Sequence, residues 1–296
     1  MLYQNILKTI GQTPLVKINN FSLPLNVNLF IKLEGQNIGG SVKDRTALYM
    51  VKQAEKRGEL TKDKIILEAT SGNMGIALAM VGAYKKYRVK IIMSAGVSLE
   101  RRKMLKAFGV DLELTDSSLG TQGALLRAQA MVKREPKKYW LADQFNNHDN
   151  LMAHYYGIAK EVLTDLNKID YLVVTSGTSG TLMGLSKRFK KYSPLTKIIS
   201  VFPKEGYGIQ GIQNPQSDFI GKIYHQDKMV KQYVINQKSA FKTTRVLAHQ
   251  EGLFLGMSSG AALYVGLQVA KKIDSGNIVV ISPDRGEKYL STKLYN

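Results

Sequence analysis

Hydrophobic residues along the chain follow two periods, one typical of buried strands and one typical of helices with a single apolar face. Short runs rich in β-branched residues predict strands at residues 64–68, 89–93, 110–114, 171–174, 197–202 and 278–281. Apolar residues three and four apart predict helices at residues 46–51, 76–84, 99–108, 119–133, 153–166, 240–250 and 259–272, and another from residue 182. This alternation predicts parallel sheets covered by helices on both faces, and its two series indicate two α/β units.

One stretch, residues 203–228, interrupts this alternation, and its glycines, glutamines and prolines predict a long functional loop. Within it, residues 206–211 spell a glycine pattern that resembles a dinucleotide-binding turn. Pro215 follows within a few residues, and a proline there prevents the long helix that such a turn must open. A dinucleotide site is therefore not predicted.

The composition limits the possible classes of protein. The chain has 296 residues, of which 44% are hydrophobic, so it can bury a sizeable core. It has no cysteine, which excludes disulfides and thiolate metal sites, and its four histidines lack metal-ligand spacing. The N-terminus lacks a signal-peptide pattern, and no apolar run approaches the roughly 20 residues of a membrane span. A cytoplasmic protein without a membrane partner is expected.

The formal charge of +19 suggests three interpretations. The basic residues occur in short groups, at 85–86, 101–103, 137–138 and 187–191, which is typical of a solvated lysine-rich surface. A nucleic-acid-binding protein would carry a basic module and would bind DNA in a salt-dependent way. Attraction of small anionic substrates is also compatible with the charge. No nucleic-acid partner is predicted, because no such module is recognisable.

The first candidate for chemistry is Lys43, which follows Gly39, Gly40 and Ser41 at the start of a predicted helix. Ser41 is a suitable N-cap, and the helix dipole disfavours a cation in the first turn. Lys43 is therefore either a surface lysine that tolerates a small penalty, or an amine held in a Schiff base.

Two further motifs stand between a predicted strand and a predicted helix, where α/β sheets bind ligands. Residues 70–75 (TSGNMG) offer backbone N–H groups and hydroxyls to an anion such as a carboxylate, although an ordinary helix cap needs only one of them. Residues 176–181 (SGTSGT) can form a nest for a single phosphate, and no lysine or magnesium-ligand pattern follows as in nucleotide-binding loops.

A fourth motif, residues 256–262 (GMSSGAA), also leads into a helix. Its small residues permit close approach of a flat ligand, and close packing of helices explains them nearly as well. A phosphate nest, a carboxylate loop and a lysine together describe a pyridoxal-phosphate enzyme that acts on an amino acid.

The chain also resembles the cysteine synthases (O-acetylserine sulfhydrylases), and within them the B form. The resemblance covers almost the whole chain: residues 9–17 (TIGQTPLVK), the four motifs, residues 143–147 (DQFNN) and residues 284–291 (DRGEKYLS). It implies two doubly wound α/β domains of the tryptophan synthase β-like (fold type II) architecture, assembled as a homodimer. The large cofactor-binding domain would comprise residues 1–34 and 146–296, and the small, mobile substrate-binding domain residues 35–145.

The resemblance further implies the roles of the site residues. Lys43 would bind pyridoxal 5′-phosphate as a Schiff base, Asn73 would hydrogen-bond its 3′-oxygen, and Ser258 would face its pyridine nitrogen. The residues implied to hold the phosphate are Gly177, Thr178, Ser179, Gly180 and Thr181. The residues implied to bind the substrate are Thr70, Ser71, Gly72, Asn73 and Gln144.

The implied reaction is β-replacement on O-acetyl-L-serine by sulfide, through an aminoacrylate, to give L-cysteine. The freed Lys43 amine would remove the Cα proton, which requires a lowered pKa. Ser258 is neutral and would make the ring a weaker electron sink, which favours elimination over transamination. A cysteine-consuming reaction that releases hydrogen sulfide, a cystathionine synthase-like reaction, and a colourless inactive relative are the alternatives.

Four positions depart from the family pattern. Met74 replaces a threonine of the carboxylate loop, and Gln213 and Asn214 replace an arginine pair of the B form. Pro283 replaces a cysteine of the B form. Thiosulfate as a nucleophile is therefore in doubt, and residues 203–228 are expected to select the nucleophile and leaving group.

Overall fold

The computed structural model describes residues 2–70, 72–205, 208–214, 221–225 and 230–295. The predictions for Ser71 and for parts of the 203–228 loop therefore lie outside the described residues. The strands of the described part are β1 (Leu15–Lys17), β2 (Asn26–Leu33), β3 (Ile65–Ala69), β4 (Val89–Ser94), β5 (Asp111–Thr115), β6 (Tyr139–Leu141), β7 (Tyr171–Thr175), β8 (Lys197–Pro203), β9 (Val230–Ile235) and β10 (Ser275–Ser282). The α-helices are α1 (Lys43–Lys56), α2 (Asn73–Lys85), α3 (Leu99–Ala107), α4 (Gly120–Arg134), α5 (His148–Tyr156), α6 (Ile158–Asp165), α7 (Gly180–Tyr192), α8 (Gln237–Glu251) and α9 (Met257–Ala270).

The strands form two sheets. The larger sheet has six strands in the order β1-β2-β10-β7-β8-β9, and the smaller has four in the order β5-β4-β3-β6. All neighbouring strands are parallel except β1 and β2, which pair antiparallel with Leu15 opposite Lys32. The predicted parallel α/β architecture is confirmed.

Four strands were not predicted. β1 and β6 have only three residues each, too few to show a period. β2 mixes polar and apolar residues (NVNLFIKL), and β9 lies at the edge of the large sheet with a largely exposed pattern. Their pairing partners, which lie far away in sequence, decide their conformation.

Helices cover both faces of each sheet, so each sheet has two hydrophobic layers. α9 and α2 are buried along most of their length and pack against the larger and the smaller sheet, respectively. Because the central strands are buried on both faces, their sequences are continuously apolar, which is what made them predictable.

The helix predicted over residues 153–166 is wrong in one respect, because it is two helices. Gly157 separates α5 from α6 with φ −93° and ψ −103°. A side chain there would lie 2.7 Å from the carbonyl oxygen of Ala153. The apolar period continues across the break, so the sequence pattern did not reveal it.

Strands β3 to β6 lie within residues 65–141, and the remaining strands lie outside that range. This division agrees with two α/β units, while the exact domain boundaries at residues 34 and 145 stay a prediction. Among the described residues, no helix is long and apolar enough to cross a membrane. No cluster of potential metal ligands occurs among them either.

Candidate active site

A cavity of about 530 Å³ lies between the two sheets. Residues that directly follow β3, β7 and β10 line it, so it lies at the carboxyl ends of parallel strands. The predicted site residues that line it are Lys43, Thr70, Asn73, Gln144, Gly177, Thr178 and Ser258. The fold therefore brings together segments that are more than 200 residues apart.

A smaller adjoining cavity of about 30 Å³ is lined by Ser179 and Thr181, and also by Lys43, Gly177 and Thr178. Of the other predicted residues, Gly72 immediately precedes α2 and Gly180 is the first residue of α7. Both helices thus begin beside the cavities, with their free N–H groups on this side.

Lys43 is the first residue of α1, and its backbone N–H donates to the hydroxyl oxygen of Ser41 at 3.3 Å. Ser41 therefore makes the predicted capping contact, although Val42 already has helical geometry. Burial lowers the pKa of the Lys43 amine from 10.5 to about 8, and the nearby Asp284 carboxylate opposes part of this change. A substantial fraction of the amine is then neutral near physiological pH.

The loop before α7 has the geometry of an anion nest. Ser179 has φ +69°, in the left-handed region, and its hydroxyl lies 2.9 Å from that of Ser176. The Thr178 hydroxyl oxygen accepts from Asn150 Nδ2 at 2.9 Å. A side chain at Gly180 would collide with the Asn150 carboxamide, so glycine is required there for close approach.

His154, to which the sequence assigned no role, lies behind this nest. Its Nε2 is 3.0 Å from the Thr46 hydroxyl and 3.3 Å from the Thr181 hydroxyl. Burial and then the positive charges of Lys43 and Arg45 hold its pKa well below its usual range. A neutral His154 therefore orients the Thr181 hydroxyl without adding charge to the site.

The predicted carboxylate loop joins β3 to α2. The Thr70 hydroxyl oxygen accepts from the Gly72 N–H at 3.2 Å, which leaves the hydroxyl hydrogen free to donate. Gly72 has φ +155°, and a side chain there would collide with Arg101. Asn73 follows as the first residue of α2 and lines the cavity.

Gln144 lines the same cavity but is held from behind by a buried acid. Its backbone N–H and its Nε2 each donate to a Glu68 carboxyl oxygen at 3.3 Å. Burial, with a contribution from Asp143, raises the pKa of Glu68 to about 8. The Gln144 amide is thus partly committed to Glu68, and its Oε1 is the group left for other partners.

The sequence missed the residues that complete the cavity wall after β10. We call residues 284–289 the C-terminal strap. Asp284 and Tyr289 of this strap line the cavity, and Lys288 is buried beside them. The acidic and basic residues that directly follow a buried parallel strand could have indicated this part of the site. Ligands bind at the carboxyl ends of parallel strands, and these residues lie there.

Three of the four positions that depart from the family pattern also lie at the cavity. Met74, Gln213 and Pro283 line it, and Met74 is 1% exposed. Asn214 is buried, and its Nδ2 donates to the carbonyl of Pro203 at 3.1 Å. The wall formed by Gln213 and Pro283 is therefore uncharged.

Fold and cavity define a class: an α/β protein with a partly buried lysine between the predicted carboxylate loop and the predicted phosphate nest. The family model described as "Pyridoxal-phosphate dependent enzyme" matches residues 6–284, and the chain belongs to this family. Its relatives include a cysteine synthase of Aquifex aeolicus, 41% identical over 99% of this chain and 92% of the relative. Cysteine synthase B of Escherichia coli is 41% identical over 97% of this chain and 95% of its own length.

Among solved structures, a hydrogen sulfide-producing enzyme from Fusobacterium nucleatum superposes with a TM-score of 0.92. The two sequences are 40% identical, and the match covers 98% of this chain and 100% of the Fusobacterium nucleatum chain. The resemblance inferred from the motifs and the fold type II architecture are both confirmed, and the protein is an enzyme that uses pyridoxal 5′-phosphate.

The site fits this cofactor on its own features. The N-terminus of α7 and the hydroxyls around it suit a phosphate, and Lys43 lines both this small cavity and the larger one. Ser258, 3% exposed at the start of α9, offers a neutral hydroxyl to the larger cavity. A lysine amine of lowered pKa is the group that an aldehyde requires.

Proposed function

We propose that the protein catalyses β-replacement on O-acetyl-L-serine by sulfide, with L-cysteine as the product. The observation that carries the proposal is the position of Lys43. Its amine, with a pKa lowered to about 8, faces the same cavity as the carboxylate loop and adjoins the anion nest. An amino acid bound by its carboxylate at α2 would have its Cα within reach of this amine.

Bound pyridoxal 5′-phosphate supplies an electron-withdrawing ring that makes the Cα–H and Cβ–oxygen bonds of the substrate easier to break. The residues proposed to hold its phosphate are Gly177, Thr178, Ser179, Gly180 and Thr181. Ser258 would accept or donate at the ring nitrogen without charging it. These neutral contacts would fix the ring while leaving it a moderate electron sink.

The substrate carboxylate would bind at the N-terminus of α2, where backbone N–H groups and the Thr70 hydroxyl can donate to it. Ser71 is proposed as a further donor, and so is Asn73 through its backbone N–H. Gln144 is proposed here too, provided that its amide exchanges its long hydrogen bonds to Glu68 for the substrate. This binding would fix the Cα–H bond relative to Lys43.

Lys43 is proposed to move the proton. Its neutral amine would take the Cα proton at Nζ, and the resulting ammonium would be stabilised by the Asp284 carboxylate. At pH 8 about half of such amines are neutral, so the same group can accept and return a proton near physiological pH.

An alternative first substrate is L-cysteine, from which hydrogen sulfide would leave. The similarity to the Fusobacterium nucleatum structure supports this alternative. Met74 is compatible with it, because a flexible thioether in the carboxylate loop can adapt its packing to either first substrate. A cystathionine synthase-like reaction with a thiol as second substrate would use the same residues.

The test is a steady-state comparison of O-acetylserine, O-phosphoserine, serine and cysteine as first substrates, with cysteine formation and sulfide release as separate readouts. We expect the highest kcat/KM with O-acetylserine and sulfide. Faster sulfide release from cysteine would overturn this assignment in favour of the alternative. Lys43→Ala should lower kcat by at least about 1000-fold and abolish the visible absorbance, whereas Lys272→Ala, at an exposed site, should do neither.

The nucleophile is proposed to be sulfide and not thiosulfate. Gln213 and Pro283 add no positive charge to the cavity wall. Arg101 also lines the cavity, but its Nη1 and Nη2 already donate to Gln210 and to the Tyr289 hydroxyl, so a dianion would lose hydration that these groups do not replace. We expect sulfide to be preferred by at least about 100-fold in kcat/KM. Equal use of the two nucleophiles would contradict this.

A further inference from the structure

Asn73 is held between two buried charges of opposite sign on the C-terminal strap. Its Nδ2 donates to Oδ2 of Asp284 at 2.7 Å, and its Oδ1 accepts from Nζ of Lys288 at 3.0 Å. Asp284 and Lys288 are each 1% exposed. Two charged residues buried on one carboxamide need an explanation, because neutral groups would satisfy the same hydrogen bonds.

The charges determine which way the carboxamide points. A carboxylate only accepts hydrogen bonds, and an ammonium only donates them. Rotating the Asn73 amide by half a turn would place its oxygen against Asp284 and its NH₂ against Lys288, so both contacts would become repulsive. The hydrogen-bonding chemistry of Asp284 and Lys288 therefore determines which end of the Asn73 carboxamide carries the oxygen and which carries the nitrogen.

Lys288 has the partners of an ammonium. Its Nζ donates to the carbonyls of Gly39 at 3.1 Å and Gly40 at 3.0 Å, in addition to Asn73. Three acceptors match the three N–H bonds of an ammonium, whereas a neutral amine has only two. Burial lowers the pKa of Lys288, and the carboxylates of Asp284 and Asp44 oppose this change.

Asp284 likewise has the hydrogen-bond partners of a carboxylate, which only accepts hydrogen bonds. The Tyr289 hydroxyl donates to its Oδ2 at 2.6 Å, and Arg101 Nη2 in turn donates to the Tyr289 oxygen at 3.0 Å. Burial and Asp284 raise the pKa of Tyr289 well above its usual range, so its hydrogen stays in place. Asn73 is thus the remaining neutral donor on this carboxylate among the hydrogen bonds described.

We propose that Asp284 and Lys288 are positioning residues that make Asn73 a hydrogen-bond donor, and not an acceptor, toward the bound cofactor. Asp284 uses one Nδ2 hydrogen, and the second remains for a ligand in the cavity that Asn73 lines. Lys288 also fixes the Gly39–Gly40 turn that precedes Lys43. This inference rests on the proposed role of Asn73 as a cofactor ligand.

The first test measures the visible absorbance maximum and the dissociation constant of pyridoxal 5′-phosphate for the holoenzyme. Lys288→Met should shift the maximum and weaken cofactor binding by about 10-fold, because one of the two contacts that fix the Asn73 amide is lost. Lys288→Arg keeps the positive charge, although its guanidinium is larger and planar, and should shift the maximum less and weaken cofactor binding less than Lys288→Met does. Lys272→Met removes an exposed lysine and serves as the control.

The second test asks whether Lys288 acts through Asn73. In an Asn73→Ala background, Lys288→Met should cause no further shift of the maximum, since no carboxamide remains to be oriented. The same shift in both backgrounds would overturn the proposal.

The third test needs no cofactor and uses a substitution that preserves volume. In cofactor-free protein labelled with ¹⁵N-asparagine, one Nδ2 proton of Asn73 should resonate downfield because it faces a carboxylate. Its assignment follows from its loss in Asn73→Ala. Asp284→Asn should move this signal upfield, and an unchanged signal would overturn the proposal.

Failure of the proposed function would look different from failure of this inference. In the former, the wild-type protein would fail to convert O-acetylserine with sulfide. In the latter, the wild-type protein would be coloured and active, and only the responses of the Lys288 and Asp284 variants would deviate.

Discussion

Ser179 has φ +69°, a backbone conformation that glycine adopts most readily, directly before the first residue of α7. Ser179 is therefore in a strained backbone conformation, and it places a hydroxyl beside the proposed phosphate site. Ser179→Gly should therefore be more stable than Ser179→Ala by about 1 kcal/mol in urea denaturation. Both variants lose the hydroxyl, so both should bind pyridoxal 5′-phosphate more weakly to a similar extent. Equal stability of the two variants would contradict the strain.

Lys43 allows a prediction for the pH dependence of its own reactivity. A lysine with a lowered pKa is neutral, and therefore nucleophilic, above that pKa. In cofactor-free protein, the reaction of Lys43 with acetic anhydride should rise with pH through a midpoint of about 8. A short unstructured peptide with one lysine, added to the same reaction as the reference, should show a midpoint of about 10.4. Peptide mass spectrometry resolves the two sites, and coincident midpoints would contradict the effect of burial.

At the scale of elements, α1 is anchored by a buried ion pair behind the active site. Arg45 Nε donates to the Glu34 carboxylate of the segment after β2 at 2.6 Å, and the two side chains are 6% and 0% exposed. Arg45→Ala would leave a buried carboxylate unpaired and should lower the free energy of unfolding by about 3–5 kcal/mol. Arg57→Ala removes an arginine that is 41% exposed and should cost less than about 1 kcal/mol. Equal urea midpoints for the two variants would contradict this account.

Glu68, near the end of β3, makes stability depend on pH. Its pKa in the folded protein is about 8, above the usual 4.5, so the folded state holds a proton that the unfolded state releases. This contribution is complete below pH 4.5 and is lost as the pH rises toward 8. Glu68→Gln should therefore gain stability over the wild type between pH 5 and pH 8, reaching about 4 kcal/mol at pH 8.

Thermal unfolding at several pH values measures this difference. Glu205→Gln, which removes a carboxylate from an exposed site, is the control. A Glu68→Gln profile parallel to that of the wild type would mean that Glu68 does not take up a proton on folding.

At the scale of the whole molecule, the active site is built from two sheets. Thr70, Asn73 and Gln144 follow strands of the smaller sheet, whereas Gly177, Thr178 and Ser258 belong to segments packed on the larger sheet. A change in the distance between the sheets would open or close the cavity. We therefore expect substrate to protect residues 94–121 from hydrogen exchange, because several of them line the cavity on the side of the smaller sheet.

The predicted homodimer also belongs to this scale. Light scattering should give twice the chain mass of 33.0 kDa. A single-chain mass would refute the dimer without affecting the proposed chemistry, since each residue invoked above belongs to one chain.

The sequence by itself determined the α/β class, the central strands and the four motifs. Central parallel strands are apolar on both faces, and glycine- and hydroxyl-rich loops show local signals for anion binding, so both are legible within a few residues. A catalytic role could be predicted for Lys43 only because its own motif, the motif at residues 70–75 and the motif at residues 176–181 together describe a single site.

The tertiary structure alone decided the rest. The edge strands β1 and β9 and the break at Gly157 depend on distant partners and leave little local pattern. Asp284 and Lys288 meet Asn73 across more than 200 positions of sequence. Their burial, and the burial that lowers the pKa of Lys43, result from packing of the two sheets around the cavity, and no local pattern encodes packing between distant segments.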